Sequence, residues 1–182
     1  MAQSNILRPL STLSVSKHQI PADGLTPNTS LQNKPLLIYH SSFEPSRASA
    51  STIESHIFSV GAVTPQWNYS MFPTTHFHSN THEVLCVSNG KAQLCFGGEN
   101  NDGRVEPVVE KGDVMVVPAG VGHRLMRDLS SGFEMVGCYP PGKQWDMCYG
   151  QEGEESKVEG IRDLKWFEKD PIYGEQGPCL DV

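Results

Sequence analysis

The sequence predicts an all-β fold, a sandwich or barrel of short strands with one or two short helices at its periphery. Two observations predict it. From residue 83 onward, short extended runs follow one another at 83–87, 91–96, 105–109, 114–117, 123–126 and 133–139. The stretches between them are turn formers: Ser88-Asn89-Gly90, the glycine-rich 97–103, Lys111-Gly112, Pro118-Ala119-Gly120 and Ser130-Ser131-Gly132, which supply the backbone angles that tight turns need.

Taken in order, residues 1–34 show no sustained period and mix Pro9, Pro21 and Pro27 with Ser, Thr, Asn and Gln. They are expected to be an irregular segment preceding a single domain over 35–182. Leu36-Leu37-Ile38-Tyr39 is an apolar run suited to an edge or buried strand, broken by Ser41, Ser42 and Pro45. The one early helix follows. Ser51-Thr52-Ile53-Glu54 reads as a capping box, Ile53, Ile57 and Val60 form an apolar face, and Gly61 and Pro65 stop the helix, which should pack outside a sheet. Residues 67–72 open the strand-rich body. Beyond it, 151–158 is acidic and reads as a loop, 161–167 as one last strand or helical turn. The tail, with Pro171, Gly174, Gly177 and Pro178, reads as an extended arm.

Composition excludes several function classes. With 14 Lys and Arg against 21 Asp and Glu, the 182-residue chain carries a formal charge of -7, which argues against nucleic acid as a partner. No apolar run approaches the ~20 residues of a membrane span, and the first residues lack the apolar core of a secretory signal. Residues 1–20 hold Arg8 and Lys17 without an acid, only a weak likeness to a transit peptide, so a cytoplasmic protein is expected. Cys86, Cys95, Cys138, Cys148 and Cys179 are odd in number and contain no CxxC; the first three lie in strand-like runs and read as buried free thiols.

The chemistry concentrates in two stretches. His76 and His78, two apart on an extended segment, face the same side and can share a metal ion. Four residues separate His78 from Glu83, which can return a carboxylate to them, and Gly90 suits a turn. The stretch 112–123 gives a short strand, a Pro118/Gly120 turn and a third imidazole, His123. Three imidazoles and one carboxylate are a metal-ligand set. Glu83 has a rival in His82, because adjacent strand residues face opposite ways. Parity is indecisive: Val84 and Cys86 on one face and Leu85 and Val87 on the other are all apolar.

These stretches read HxHxxxxExxxxxxG and GxxxxxPxGxxH and resemble the two signature motifs of the cupin superfamily. The chain departs from the usual pattern at Ser70, where a Gly opens the first motif, and at Arg127, where an Asn closes the second. The segments 139–146 and 170–174 resemble a small branch of single-domain cupins. The resemblance implies a cupin-type antiparallel jelly-roll barrel with the metal inside, held by His76, His78, Glu83 and His123, and His82 behind the site or facing outward. It also implies a homodimer paired through strand edges.

The donor set does not select among Fe, Mn, Ni, Cu and Zn as the one divalent transition metal ion. The leading expectation is a mononuclear metalloenzyme acting on a small organic molecule, of dioxygenase, decarboxylase or isomerase type. The alternative is a non-catalytic small-ligand-binding or structural cupin. Tyr69, Met71, Phe96, Arg124 and Arg127 are candidates to shape the pocket, whereas Lys143 and Trp145 read as structural. No GxSxG is present, Gly97-Gly98 reads as a hairpin turn, and His18, His40 and His56 have no assigned role.

Overall fold

Two antiparallel sheets face each other in the computed structural model, which describes residues 6–182. The strands are β1 (Ser14–His18), β2 (Leu36–His40), β3 (Thr64–Tyr69), β4 (Glu83–Asn89), β5 (Lys91–Phe96), β6 (Val108–Glu110), β7 (Val114–Val117), β8 (His123–Asp128) and β9 (Glu134–Tyr139). Six form one sheet in the order β1-β2-β7-β4-β9-β3, and three form the other as β6-β5-β8. This is the all-β, jelly-roll arrangement of a cupin, with two helices, α1 (Ala50–Val60) and α2 (Glu155–Gly160). No helix among the described residues is long and apolar enough to cross a membrane.

Both faces of the large sheet are buried along its central strands β2, β7, β4 and β9, and alternation assigns each residue there to one face. Leu85 and Val87 of β4, Ile38 of β2, Met115 and Val117 of β7 and Met135 of β9 pack against Ala92, Leu94 and Phe96 of β5. That cluster is the interior between the sheets. Val84, Cys86, Val116, Val136 and Cys138 turn the other way, under Ile53 and Ile57 of α1 and under Ile172 and Cys179 of the C-terminal arm. All five cysteines are free and buried.

Helix α1 forms where expected, but its cap lies earlier than the predicted box. The Ser49 hydroxyl accepts the Thr52 N–H, and Gly61 closes the helix at a left-handed φ of 74°. Three further expectations are corrected. The segment 1–34 is not wholly irregular: β1 pairs with β2 along its full length, Ser14 opposite His40 through His18 opposite Leu36. Part of 151–158, expected as a loop, is helical in α2; 161–167 opens with a 3₁₀ turn, Ile161–Asp163, the helical one of its two expected forms. The run at 105–109 is split into a bridge at Val105 and the strand β6.

Asn28 ties the early segment to the site. Its side-chain amide donates to the Gly97 carbonyl at 3.1 Å and its oxygen accepts the Gly122 N–H at 3.0 Å, fixing the turn that delivers His123. A Cβ at Gly137 of β9 would lie 2.0 Å from Trp67 Cε2; glycine there lets the indole lie flat on the sheet.

Candidate metal centre

The two motif halves meet directly. His76 and His123 exchange both backbone hydrogen bonds, N–H to O at 3.2 and 2.8 Å, so the segment holding the first two histidines lies beside β8 as an isolated bridge rather than a full strand. Phe77 forms a second bridge with Cys148 and points away from the site into a small apolar cluster. Alternation about Phe77 puts His76 and His78 on one side, as their spacing predicts.

All three imidazoles are buried and each is held by its Nδ1. A backbone carbonyl can only accept, so the contacts to the carbonyls of Thr74 (2.8 Å), Asp146 (2.5 Å) and Val121 (2.9 Å) place a proton on Nδ1 of His76, His78 and His123 respectively. Their Nε2 atoms are left to face one another. One ligand atom from each ring lies within 4.8 Å of the others, a spacing at which the three could hold a metal ion. Burial first, and the neighbouring His123 next, push His76 down to about 3, so this ring is neutral and its Nε2 lone pair is free to donate.

Glu83 opens β4 with its side chain turned inward. Its Oε1 lies 3.4 Å from His78 Nε2 and its Oε2 3.3 Å from His123 Nε2. Burial favours the neutral acid, but the charge of His78 and the close approach of the His123 and His78 ring nitrogens hold this carboxyl well below its ordinary range. Conversely, burial works against charging His78, and the Glu83 carboxylate more than offsets it, raising that imidazole. Oε1 accepts the Tyr139 hydroxyl at 2.5 Å, and the Tyr139 oxygen in turn accepts the Trp67 Nε1–H at 2.8 Å. Oε2 is buried with no aligned hydrogen-bond partner. An unmatched carboxylate oxygen beside converging imidazole nitrogens, with His78 joining once it gives up its second proton, fits a cation.

His82 goes elsewhere. It is buried on the opposite face of β4, edge-on to Trp166 at 4.8 Å between ring centroids, and its Nδ1 accepts the Ala119 N–H at 3.0 Å. It borders a second cavity of about 550 Å³ beneath Trp166 and Phe167. Burial pushes it down to about 4, so it stays neutral.

The histidine cluster forms the floor of a cavity of about 490 Å³ walled by Trp67, Tyr69, Met71, Phe72, Leu85, Met135, Trp145 and Met147. Tyr69 and Met71 therefore line it as expected. Trp145, expected to be structural, is 44% exposed over the cavity, its ring 6.0 Å from that of His78. Arg124 does not reach the cavity, since it alternates with His123 and pairs with Glu99 at 2.8 Å. Arg127, exposed further along β8, and Phe96 are also outside its lining.

Asp146 was not singled out in the sequence, yet it orients His78 through its carbonyl. Its carboxylate accepts the Ser79 N–H at 2.8 Å and the Ser79 hydroxyl at 2.6 Å. Burial opposes ionisation here, and the Ser79 donors override it and hold the acid low. The sole hint was its place in the Tyr-Pro-Pro-Gly-x-x-Trp-Asp segment.

The family comparisons agree with this reading. The cupin family profile matches residues 55–138. The chain is 36% identical over 163 residues to the uncharacterised protein YjlB of Bacillus subtilis (strain 168), covering 89% of this chain and 92% of that one. This chain belongs to the cupin superfamily. Among solved structures, procruciferin, the 11S globulin of Brassica napus, matches at 16% identity with a TM-score of 0.36, over 62% of this chain and 22% of that one. A deletion mutant of Bacillus subtilis oxalate decarboxylase OxdC matches at 16% identity and a TM-score of 0.34, over 63% and 23%. The chain thus spans under a quarter of either protein, and likeness at this level says nothing of its chemistry.

Proposed function

We propose that this chain binds one divalent transition metal ion, Fe, Mn, Ni, Cu or Zn, through His76, His78, Glu83 and His123. We further infer that it is an enzyme of dioxygenase, decarboxylase or isomerase type acting on a small organic molecule. The observation that carries the reading is the common tautomer of the three histidines: backbone carbonyls occupy every Nδ1, and every Nε2 faces the shared point beside the unpartnered Glu83 oxygen.

A bound ion would act as a Lewis acid toward a substrate oxygen, with or without dioxygen activation. The chain's residues do the rest. Thr74, Asp146 and Val121 fix the imidazoles before any ligand arrives, so binding needs little reorganisation. Tyr139 keeps its own proton, since burial and the Glu83 charge raise the phenol far above its usual range, and that proton holds Glu83 in one rotamer. The floor itself is buried beneath apolar walls, which strengthens the electrostatic contacts made there.

Five free buried thiols fit a reducing, cytoplasmic setting. Two copies would pair through an outer strand of the large sheet, β1 or β3; a monomer mass in light scattering contradicts that pairing. The test of the central reading is elemental analysis of the protein purified without added metal. Close to one equivalent of a transition metal in the parent and its loss in folded His123→Ala is the expected result. Absence of metal from the parent, even after reconstitution, refutes it.

A further inference from the structure

The walls of the metal cavity restrict what it can accept. Glu83 is its one carboxylate, and no lysine or arginine contributes to its lining among the described residues. Arg124, the nearest cation along β8, is spent on Glu99 at 2.8 Å. The Tyr139 hydroxyl already donates to Glu83, and Tyr69 and Ser70 add neutral hydroxyls. The remaining surface is flat and apolar, with Trp67, Tyr69, Phe72 and Trp145 presenting rings and Met135 and Met147 conforming to them.

Charge balance then selects the ligand. A divalent ion beside one ionised Glu83 leaves a single net positive charge in a poorly polar cavity. A monoanion cancels it. A dianion leaves a net negative charge against a buried floor and apolar walls, with no cation in the wall to offset it, which is costly. Resting on the metal-site reading above, we propose that the cavity takes a flat, uncharged molecule of enol or phenol class with a neighbouring oxygen, bound as its monoanion, and discriminates against dicarboxylates. On binding, the ligand's O–H bond breaks, its electron pair stays on oxygen, and the proton passes to the buffer without any redox change. A cavity of about 490 Å³ accommodates one or two rings.

The test uses the zinc-loaded full chain, whose zinc content is measured first. Maltol, a hydroxypyranone that chelates after losing one proton, and oxalate are titrated against it. Tryptophan fluorescence reports affinity, and calorimetry in two buffers counts the protons released. The expected result is a preference for maltol over oxalate at least about tenfold greater than that of free zinc ion, with one proton released per maltol. Trp145→Arg, at an exposed position, places a cation over the cavity and should move the preference about tenfold back toward oxalate. A chain that takes up no zinc overturns the metal-site reading and this inference with it. A zinc-loaded chain with a smaller shift in preference, or an arginine variant with unchanged preference, overturns this inference alone.

Discussion

Asp170 and Glu83 are both fully buried carboxylates, on opposite faces of the same sheet, and their surroundings differ in one respect. Asp170 accepts the Tyr39 hydroxyl at 2.7 Å and the N–H groups of Ile172, Tyr173 and Cys179 at 2.9, 3.0 and 3.1 Å, so both of its oxygens are matched. It fastens the C-terminal arm over the outer face. Glu83 has one oxygen matched by Tyr139 and the other turned toward imidazole nitrogens without an aligned donor. Burial therefore does not separate a structural acid from a functional one; completeness of hydrogen bonding does. A carboxylate whose partners are all protein belongs to the fold, and one left short is arranged for something that arrives later.

The comparison breaks first at Asp170. Asp170→Ala leaves four donors without their acceptor and is expected to cost about 3 kcal/mol or more, read from the shift in urea midpoint, while metal bound per folded chain is unchanged. The reverse pattern belongs to Glu83: Glu83→Gln should weaken metal binding by about a hundredfold or more, and His82→Gln should leave it alone. Competition with a chromogenic chelator measures both, and loss of metal by the His82 variant would reverse the assignment.

Tyr139→Phe sharpens the contrast on a smaller scale. It removes the donor to Glu83 Oε1 and the acceptor for the Trp67 indole, and about a tenfold loss of metal affinity is expected. The weakest effect concerns Asp128, held down to about 2 by the N–H groups of Phe133 and Ser130. Because its pKa is lower in the folded chain than the ordinary 3.8 of an aspartate, its contribution to stability is present above about pH 4 and fades as pH falls toward 2. Asp128→Asn should remove that part of the acid dependence in thermal melts and leave the rest.

Much of this was legible in the sequence because it rests on local patterns. Glycine-bounded apolar runs marked β4, β5, β7, β8 and β9, and the motif spacing brought His76, His78, Glu83 and His123 together. Strand β1 was not legible: Ser14-Val15-Ser16-Lys17-His18 has no fully buried position, and its pairing with β2 supplies the order that its own side chains do not. Helix α2 has no side-chain cap and no buried residue, so no apolar period announced it. The choice between His82 and Glu83 failed on parity for a physical reason, since both faces of β4 are buried and no polar face marks the outside. Asp146 escaped because it holds His78 through a backbone carbonyl, a group every residue carries.

The most direct test of the account is a long-range ¹H–¹⁵N correlation spectrum of the histidine rings, recorded on metal-stripped protein and again with one equivalent of zinc. The account predicts that His76, His78 and His123 all carry their proton on Nδ1 before zinc, that their three Nε2 resonances move together on its addition, and that those of His82 stay in place. Rings lacking a proton on Nδ1 at the three positions, or a zinc shift centred on His82, would contradict it.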